Sequence, residues 1–300
     1  MRESEYLPNP EDFTLTSDLD GLALQCYAWK PDSPPKAVVV IAHGLGEHAR
    51  RYSRFATALN RSGFSVTAID HRGHGATGSP DNLGNFLSPG WEGLVADLGQ
   101  LVAESRHRHP NLPLFLFGHS MGSFAAQHFV LDHSHVIDGL VLSGSAAMDK
   151  LIESILSAAA SSEESSTFSP FNAPFEPART DFDWLSRDER EVDAYIADPL
   201  CGFDLEEASN ISMVSSAAVL AEPNSLAKVR GDLPVLLTAG DADPINNGLA
   251  FLEELERRYR ACGIQDLDTQ YYSGGRHEML NETNREDVTR NIIDWLNTRL

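Results

Sequence analysis

The sequence predicts an α/β fold: a mostly parallel eight-stranded sheet flanked by helices, with a mainly helical insertion. Three observations carry this. Five continuous apolar runs each end at a turn signal, amphipathic segments alternate with them, and the alternation stops between about 146 and 228. Continuous rather than alternating apolarity marks strands covered on both faces, as in a parallel sheet with crossover helices.

The elements follow in order. "FTLTSDLDGLALQCYAWKP" (13–31) reads as an antiparallel hairpin turning at Asp20-Gly21. "AVVVIAHG" (37–44) and "FSVTAID" (64–70) read as buried strands. Trp91, Leu94, Val95, Leu98, Leu101 and Val102 keep helical spacing, and that helix should stop near His109-Pro110. "PLFLFGHS" (113–120), "DGLVLSGS" (138–145) and "LPVLLTAG" (233–240) are further buried strands, and "LDTQYYSGG" (267–275) is a last one. Leu249, Leu252, Leu255 and Tyr259 mark a helix between the last two strands, and Val288, Ile292, Trp295 and Leu296 mark a C-terminal helix. Strand–helix alternation implies right-handed crossovers.

The broken stretch holds a helical face (Met148, Leu151, Ile152, Ile155, Leu156), a Ser/Ala/Glu-rich segment and the proline-rich "FSPFNAPFEP". Long connections inside compact domains are usually functional. We therefore expect a core of 1–145 and 229–300 and a cap over residues 146–228. The Met148–Leu156 face has two readings: a surface that docks on lipid, or packing within the cap.

Bulk numbers narrow the function. The 300-residue chain has 44 acidic and 23 basic residues, a formal net charge of −21. Such a chain repels polyphosphate, which argues against nucleic-acid partners. Cys26, Cys201 and Cys262 are far apart and odd in number, so no disulfide framework is implied. The polar N-terminal stretch lacks the apolar centre of a signal peptide, and no apolar run reaches the ~18 residues of a membrane span. A cytoplasmic location is the expectation; the oligomeric state is left open.

Gly118-His119-Ser120-Met121-Gly122 fits G-x-S-x-G between a buried strand and a helix-compatible segment. A sharp strand-to-helix turn strains the serine backbone and leaves no room for bulky neighbours. A serine hydroxyl needs a base. Of eleven histidines, His277 follows the last strand on paired glycines, which can carry an imidazole over the sheet edge. His107, His109, His133 and His135 sit in polar helix-end contexts. The base needs an acid lying between Ser120 and His277 in the chain. Asp241 and Asp243 both follow the strand 233–240; Asp243 is favoured, with Asp241 read as a turn or cap residue. The oxyanion formed on attack needs N–H donors. The Met121 N–H follows the nucleophile, and the Leu45 N–H lies in the glycine loop "HGLGEH". His43 reads as a brace of that loop, and Arg50, Arg51 and Arg54 as solvated or paired with Glu47. His71 and His74 with Asp70 are too few for a metal site, no H-E-x-x-H occurs, and no G-x-G-x-x-G or P-loop follows a strand. No cofactor or metal is assigned.

"HGLGEHARRY", "DHRGHGAT", "GHSMGS", "GDADPI" and "GGRHEMLNE", in this order, resemble the monoacylglycerol lipase and lysophospholipase-like branch of the α/β-hydrolases. The resemblance runs from about 37 to the C-terminus outside the cap; "ADPLCGF" (197–203) also resembles bacterial members. It implies ester hydrolysis through an acyl-enzyme, with Ser120, Asp243 and His277 as triad, Leu45 and Met121 as oxyanion donors, and a mobile cap over an apolar tunnel. The implied partner is a small lipophilic ester. Phe168, Phe171, Phe175 and Trp184 either line an acyl pocket or form the cap's own core. Alternatives are a short-chain or xenobiotic (phthalate-monoester) carboxylesterase, a lysophospholipase, an acyltransferase or haloperoxidase-like enzyme using the same triad, and a non-catalytic ligand-binding module.

Overall fold

The computed structural model describes residues 9–78, 80–159 and 169–300. Eight strands form one sheet: β1 (Glu11–Thr16), β2 (Ala23–Trp29), β3 (Ala37–Ala42), β4 (Phe64–Ile69), β5 (Leu114–His119), β6 (Gly139–Ser143), β7 (Val235–Gly240) and β8 (Leu267–Tyr272). Their order is β1-β2-β4-β3-β5-β6-β7-β8. The hairpin β1–β2 is antiparallel, and β2 also meets β4 antiparallel. All other pairings are parallel.

The apolar runs are continuous because both faces are covered. Val38, Val40 and Ala42 of β3 enter one core with Leu94 and Leu98 of the helix Gly90–Arg108, Phe124 of Met121–His133 and Leu252 of Ala250–Ala261. Val39 and Ile41 enter the other, with Phe55 and Leu59 of Ser53–Arg61 and Val288 and Ile292 of Arg285–Asn297. Each of the buried Val, Ile, Leu and Phe side chains contributes about 1.5–3 kcal/mol from removal of apolar surface from water. The helix after β4 ends at Arg108, with His109 as its C-cap, where the sequence expects it.

Strand order reverses direction at β3, which has β4 on one side and β5 on the other. The crevice beyond the carboxyl ends of strands at such a switch point is where open α/β sheets bind ligands. The loops after β3, β5, β7 and β8 carry every residue the sequence singles out for catalysis.

The stretch between β6 and β7 contains helices and short helical turns and, among the described residues, no strand. The helix Met148–Ala159 turns Met148 and Leu151 inward, where both are buried in the first core. The expected apolar face is thus largely packing surface; Leu156 at its far end is 63% exposed. Among the described residues no helix is long and apolar enough to cross a membrane.

Candidate active site

Ser120 joins β5 to the helix Met121–His133 with φ 52° and ψ −122°. This is a region L-residues rarely adopt, at a cost of about 1–3 kcal/mol. Surrounding bonds hold the turn: Ser120 N–H donates to Ser143 O (3.0 Å), and Ser120 O accepts from Ser123 N–H (2.8 Å) and Ser123 Oγ (2.6 Å). The flanking glycines answer to close approach. A Cβ on Gly122 would lie 2.2 Å from Ala42 O, and one on Gly44 would lie 3.1 Å from Ser120 Cβ. The end of β3 therefore passes directly against the Ser120 turn. Neither the Leu45 nor the Met121 N–H donates to a protein acceptor among the described residues. Met121 N–H opens the helix that starts at the serine.

His277 Nδ1 pairs with Asp243 Oδ2 at 2.9 Å, and both residues are buried. Asp243 Oδ1 accepts from Ile245 N–H (2.9 Å), which fixes the carboxylate orientation. Burial works against a charged His277, but the Asp243 charge and hydrogen bond outweigh it and raise its pKa above the ordinary 6.5. Asp241 is exposed and accepts from Gly274 N–H (2.6 Å), the turn role expected for it. The His277 ring packs on His119, one residue before the serine, with centroids 4.7 Å apart. Burial holds His119 down to about 4, so it is neutral at physiological pH.

The expected aromatics separate. Trp184 covers His277, with centroids 4.9 Å apart, and Phe171 packs on Trp184 at 5.2 Å. Phe175 lies under the Arg276 guanidinium, 4.2 Å from its ring centre. Phe168 lies outside the described residues. Backbone bonds fasten this segment to the histidine turn: His277 N–H donates to Trp184 O (3.3 Å) and Glu278 N–H to Leu185 O (2.8 Å). Glu282, fully buried, accepts from Arg187 Nε (2.9 Å) and from the N–H groups of Arg187 (3.0 Å) and Arg276 (3.1 Å).

Sequence reasoning reached only the Glu47 side of the charge network beneath the loop that carries Leu45. Glu47 accepts from Gly44 N–H (2.6 Å), Tyr52 Oη (2.7 Å) and Arg51 Nη1 (2.7 Å). Arg51 also forks onto Glu278 at 2.6 and 2.7 Å. Burial opposes the Glu47 charge, but Arg51 beside it keeps the carboxyl below its ordinary value. One guanidinium thus ties the loop carrying Leu45 to the turn carrying His277. The Glu47–Arg51 half was legible as an i, i+4 pair; the Glu278 half joins residues 227 apart. His43 braces the same loop as expected, donating from Nδ1 to Gly44 O (2.8 Å) and accepting His71 N–H on Nε2 (3.0 Å).

Residues 33–284 match the family model described as "Serine aminopeptidase, S33". The chain is 29% identical over 299 residues to the monoglyceride lipase of Rattus norvegicus, covering 96% of this chain and 90% of that one. It is 30% identical over 285 residues to the monoacylglycerol lipase of Mycolicibacterium smegmatis, covering 93% and 95%. Among solved structures, a thermostable carboxyl esterase from Bacillus coagulans in complex with glycerol matches with a TM-score of 0.85, 26% identity and coverage of 97% and 99%. A soluble variant of the monoglyceride lipase of Saccharomyces cerevisiae in complex with a substrate analogue matches in fold, with a TM-score of 0.78, 21% identity and coverage of 97% and 96%. The chain belongs to this serine-hydrolase family, in the monoacylglycerol lipase-like branch of the α/β-hydrolases.

Proposed function

We propose that this member of the family hydrolyses monoacylglycerols and similar lipophilic monoesters through an acyl-enzyme on Ser120. The observation that carries this reading is the buried Asp243–His277 pair (2.9 Å) beside the strained Ser120 turn. It is joined by the lipase names of the relatives. His277 takes the Ser120 proton as the hydroxyl attacks the ester carbonyl. Asp243 keeps the remaining imidazole proton on Nδ1 and stabilises the imidazolium. The Leu45 and Met121 N–H groups receive the oxyanion, each worth about 3 kcal/mol. His277 then protonates the leaving alcohol, and a water activated by the same nitrogen releases the acid.

Residues 146–228 serve as the cap over the 1–145 and 229–300 core. Trp184 and Phe171 form the acyl-side wall above His277, with Phe175 further along it. Leu156, Ile196, Ile211 and Val219, exposed by 63, 48, 57 and 40%, give the cap its contact with a lipid surface. Cosedimentation with neutral liposomes tests that contact, and partition no higher than background refutes it. An aminopeptidase needs a free carboxylate to hold a substrate α-ammonium. Glu47 and Glu278 are both taken by Arg51, and Asp243 by His277.

A second reading, a short-chain carboxylesterase, is favoured by the likeness to the Bacillus coagulans esterase. Measuring kcat/KM along a series of monoacylglycerols from short to long chains separates the two. A maximum at medium or long chains supports the lipase reading, and a monotonic fall beyond butyrate overturns it.

A further inference from the structure

The geometry points to a binding site for a zinc-like divalent cation at His48, Asp198 and Cys201, where the "ADPLCGF" segment of the insertion meets the oxyanion loop. One ligand atom from each of the three residues lies within 4.8 Å of the others. His48 Nε2 and Asp198 Oδ2 are 3.0 Å apart, with side chains 10% and 31% exposed, so solvent can deliver an ion. The turn is built before any ion arrives. Cys201 N–H donates to Asp198 O (3.0 Å), and Leu200 N–H to Asp198 Oδ1 (2.9 Å). These bonds fold the thiol back toward the carboxylate, so little further ordering is needed.

The donor set selects the ion. One imidazole, one carboxylate and one thiolate suit Zn²⁺, with bonds of about 2.0–2.3 Å, and do not suit Mg²⁺ or Ca²⁺, which take oxygen ligands. Tetrahedral bonds of that length set ligand–ligand edges of about 3.4 Å. The present separations, 3.0 Å for His48 Nε2–Asp198 Oδ2 and at most 4.8 Å across the set, bracket that edge. Glu47 and Glu278 act on the Cys201 sulfur from nearby, and Arg51 opposes them. On binding, the Cys201 thiol loses its proton to water as the metal–sulfur bond forms. His48 ligates as the neutral ring through Nε2, its proton on Nδ1, and a water fills the fourth position.

The position gives the site a consequence. A backbone hydrogen bond, Gly202 N–H to Gly46 O (3.0 Å), and the His48–Asp198 pair (3.0 Å) join this turn to the loop that carries the Leu45 N–H. Coordinate bonds from both sides would lock the insertion to that loop and restrain any movement that admits substrate. The site is therefore an inhibitory one, independent of which ester is hydrolysed.

The test titrates chelator-treated full-length protein with Co²⁺ as the spectroscopic probe, under exclusion of oxygen. One equivalent should give a near-ultraviolet thiolate-to-cobalt band and tetrahedral visible bands, displaced by Zn²⁺. Cys201→Ser should abolish the near-ultraviolet band and weaken Zn²⁺ binding by at least about tenfold. Asp198→Asn, at a partly exposed position, should weaken it similarly, and Cys262→Ser should change neither. Zn²⁺ should slow hydrolysis of a short-chain ester reversibly with chelator in the wild type and not in Cys201→Ser. A missing thiolate band, or one that survives Cys201→Ser, overturns the site. Equal Zn²⁺ inhibition of both proteins, or none in the wild type, overturns the link to catalysis.

Discussion

Replacing Asp243 by asparagine probes the acid assignment more sharply than any deletion, because it leaves the shape of the turn unchanged. Asp243 Oδ1 accepts from the buried Ile245 N–H at 2.9 Å, and Oδ2 faces His277 Nδ1 at 2.9 Å. The new amide keeps its oxygen on Ile245 N–H, since a donor there would leave two buried N–H groups opposed. Its NH₂ then points at Nδ1. The imidazole must move its proton to Nε2, the nitrogen needed as base, so the resting tautomer is the wrong one. Such a change costs about ten-thousandfold in kcat, which is about 5.4 kcal/mol. Asp241→Asn is the matched control. That carboxylate is exposed and, among the described residues, accepts only Gly274 N–H, which an amide oxygen also satisfies, so its effect should stay within about twofold. The assay is kcat/KM on a soluble p-nitrophenyl ester, with thermal melts to confirm folding. Equal activity of the two variants refutes the reasoning, whatever their absolute rates.

Ser120→Gly should abolish hydrolysis yet raise Tm by about 2–4 °C, because glycine relieves the strain at φ 52°; an unchanged or lower Tm speaks against stored strain. Arg51→Met leaves Glu47 and Glu278 buried without their counter-charge and should cost about 3–5 kcal/mol in urea unfolding; a loss under about 1 kcal/mol contradicts the network's role. For pH, His277 must be neutral to act, and Asp243 raises its pKa, so the acid limb of kcat/KM should fall at a pH above 6.5; a limb below 6.5 breaks the pairing argument. Burial lowers His43 to about 4, His74 to about 3 and His119 to about 4. The unfolded chain binds more protons than the native one in that range, so these groups' contribution is complete above pH 6.5 and is lost as pH falls toward 4. Thermal melts across that window should show the decline, and a flat profile counts against it.

The parallel strands and the site-bearing turns were legible because their signals are local. β3, β5 and β7 are short runs buried on both faces, and each ends in glycine-containing loops that a strand-to-loop reversal requires. Asp243 was favoured over Asp241 from its place after β7, and its carboxylate lies against His277 in the structure. What could not be read depends on contacts across the chain. Nothing near Arg51 announces Glu278, nothing near Trp184 announces that its ring covers His277, and nothing near His48 announces Cys201. The insertion resisted for a related reason. Its short helical turns, such as Asp183–Leu185, are held by bonds to the histidine turn rather than by their own periodicity. The Met148–Leu156 face shows the limit of a periodic pattern: it locates an apolar stripe without saying whether protein or lipid covers it.

The central claim is that Ser120 is a nucleophile activated by the Asp243–His277 pair. Its most direct measurement is reaction of the intact protein with a fluorophosphonate, followed by mass mapping of the adduct. One adduct is expected, on Ser120, formed orders of magnitude more slowly when His277 is replaced by alanine. An unlabelled Ser120 in a folded protein, or labelling that His277→Ala leaves unchanged, would contradict it.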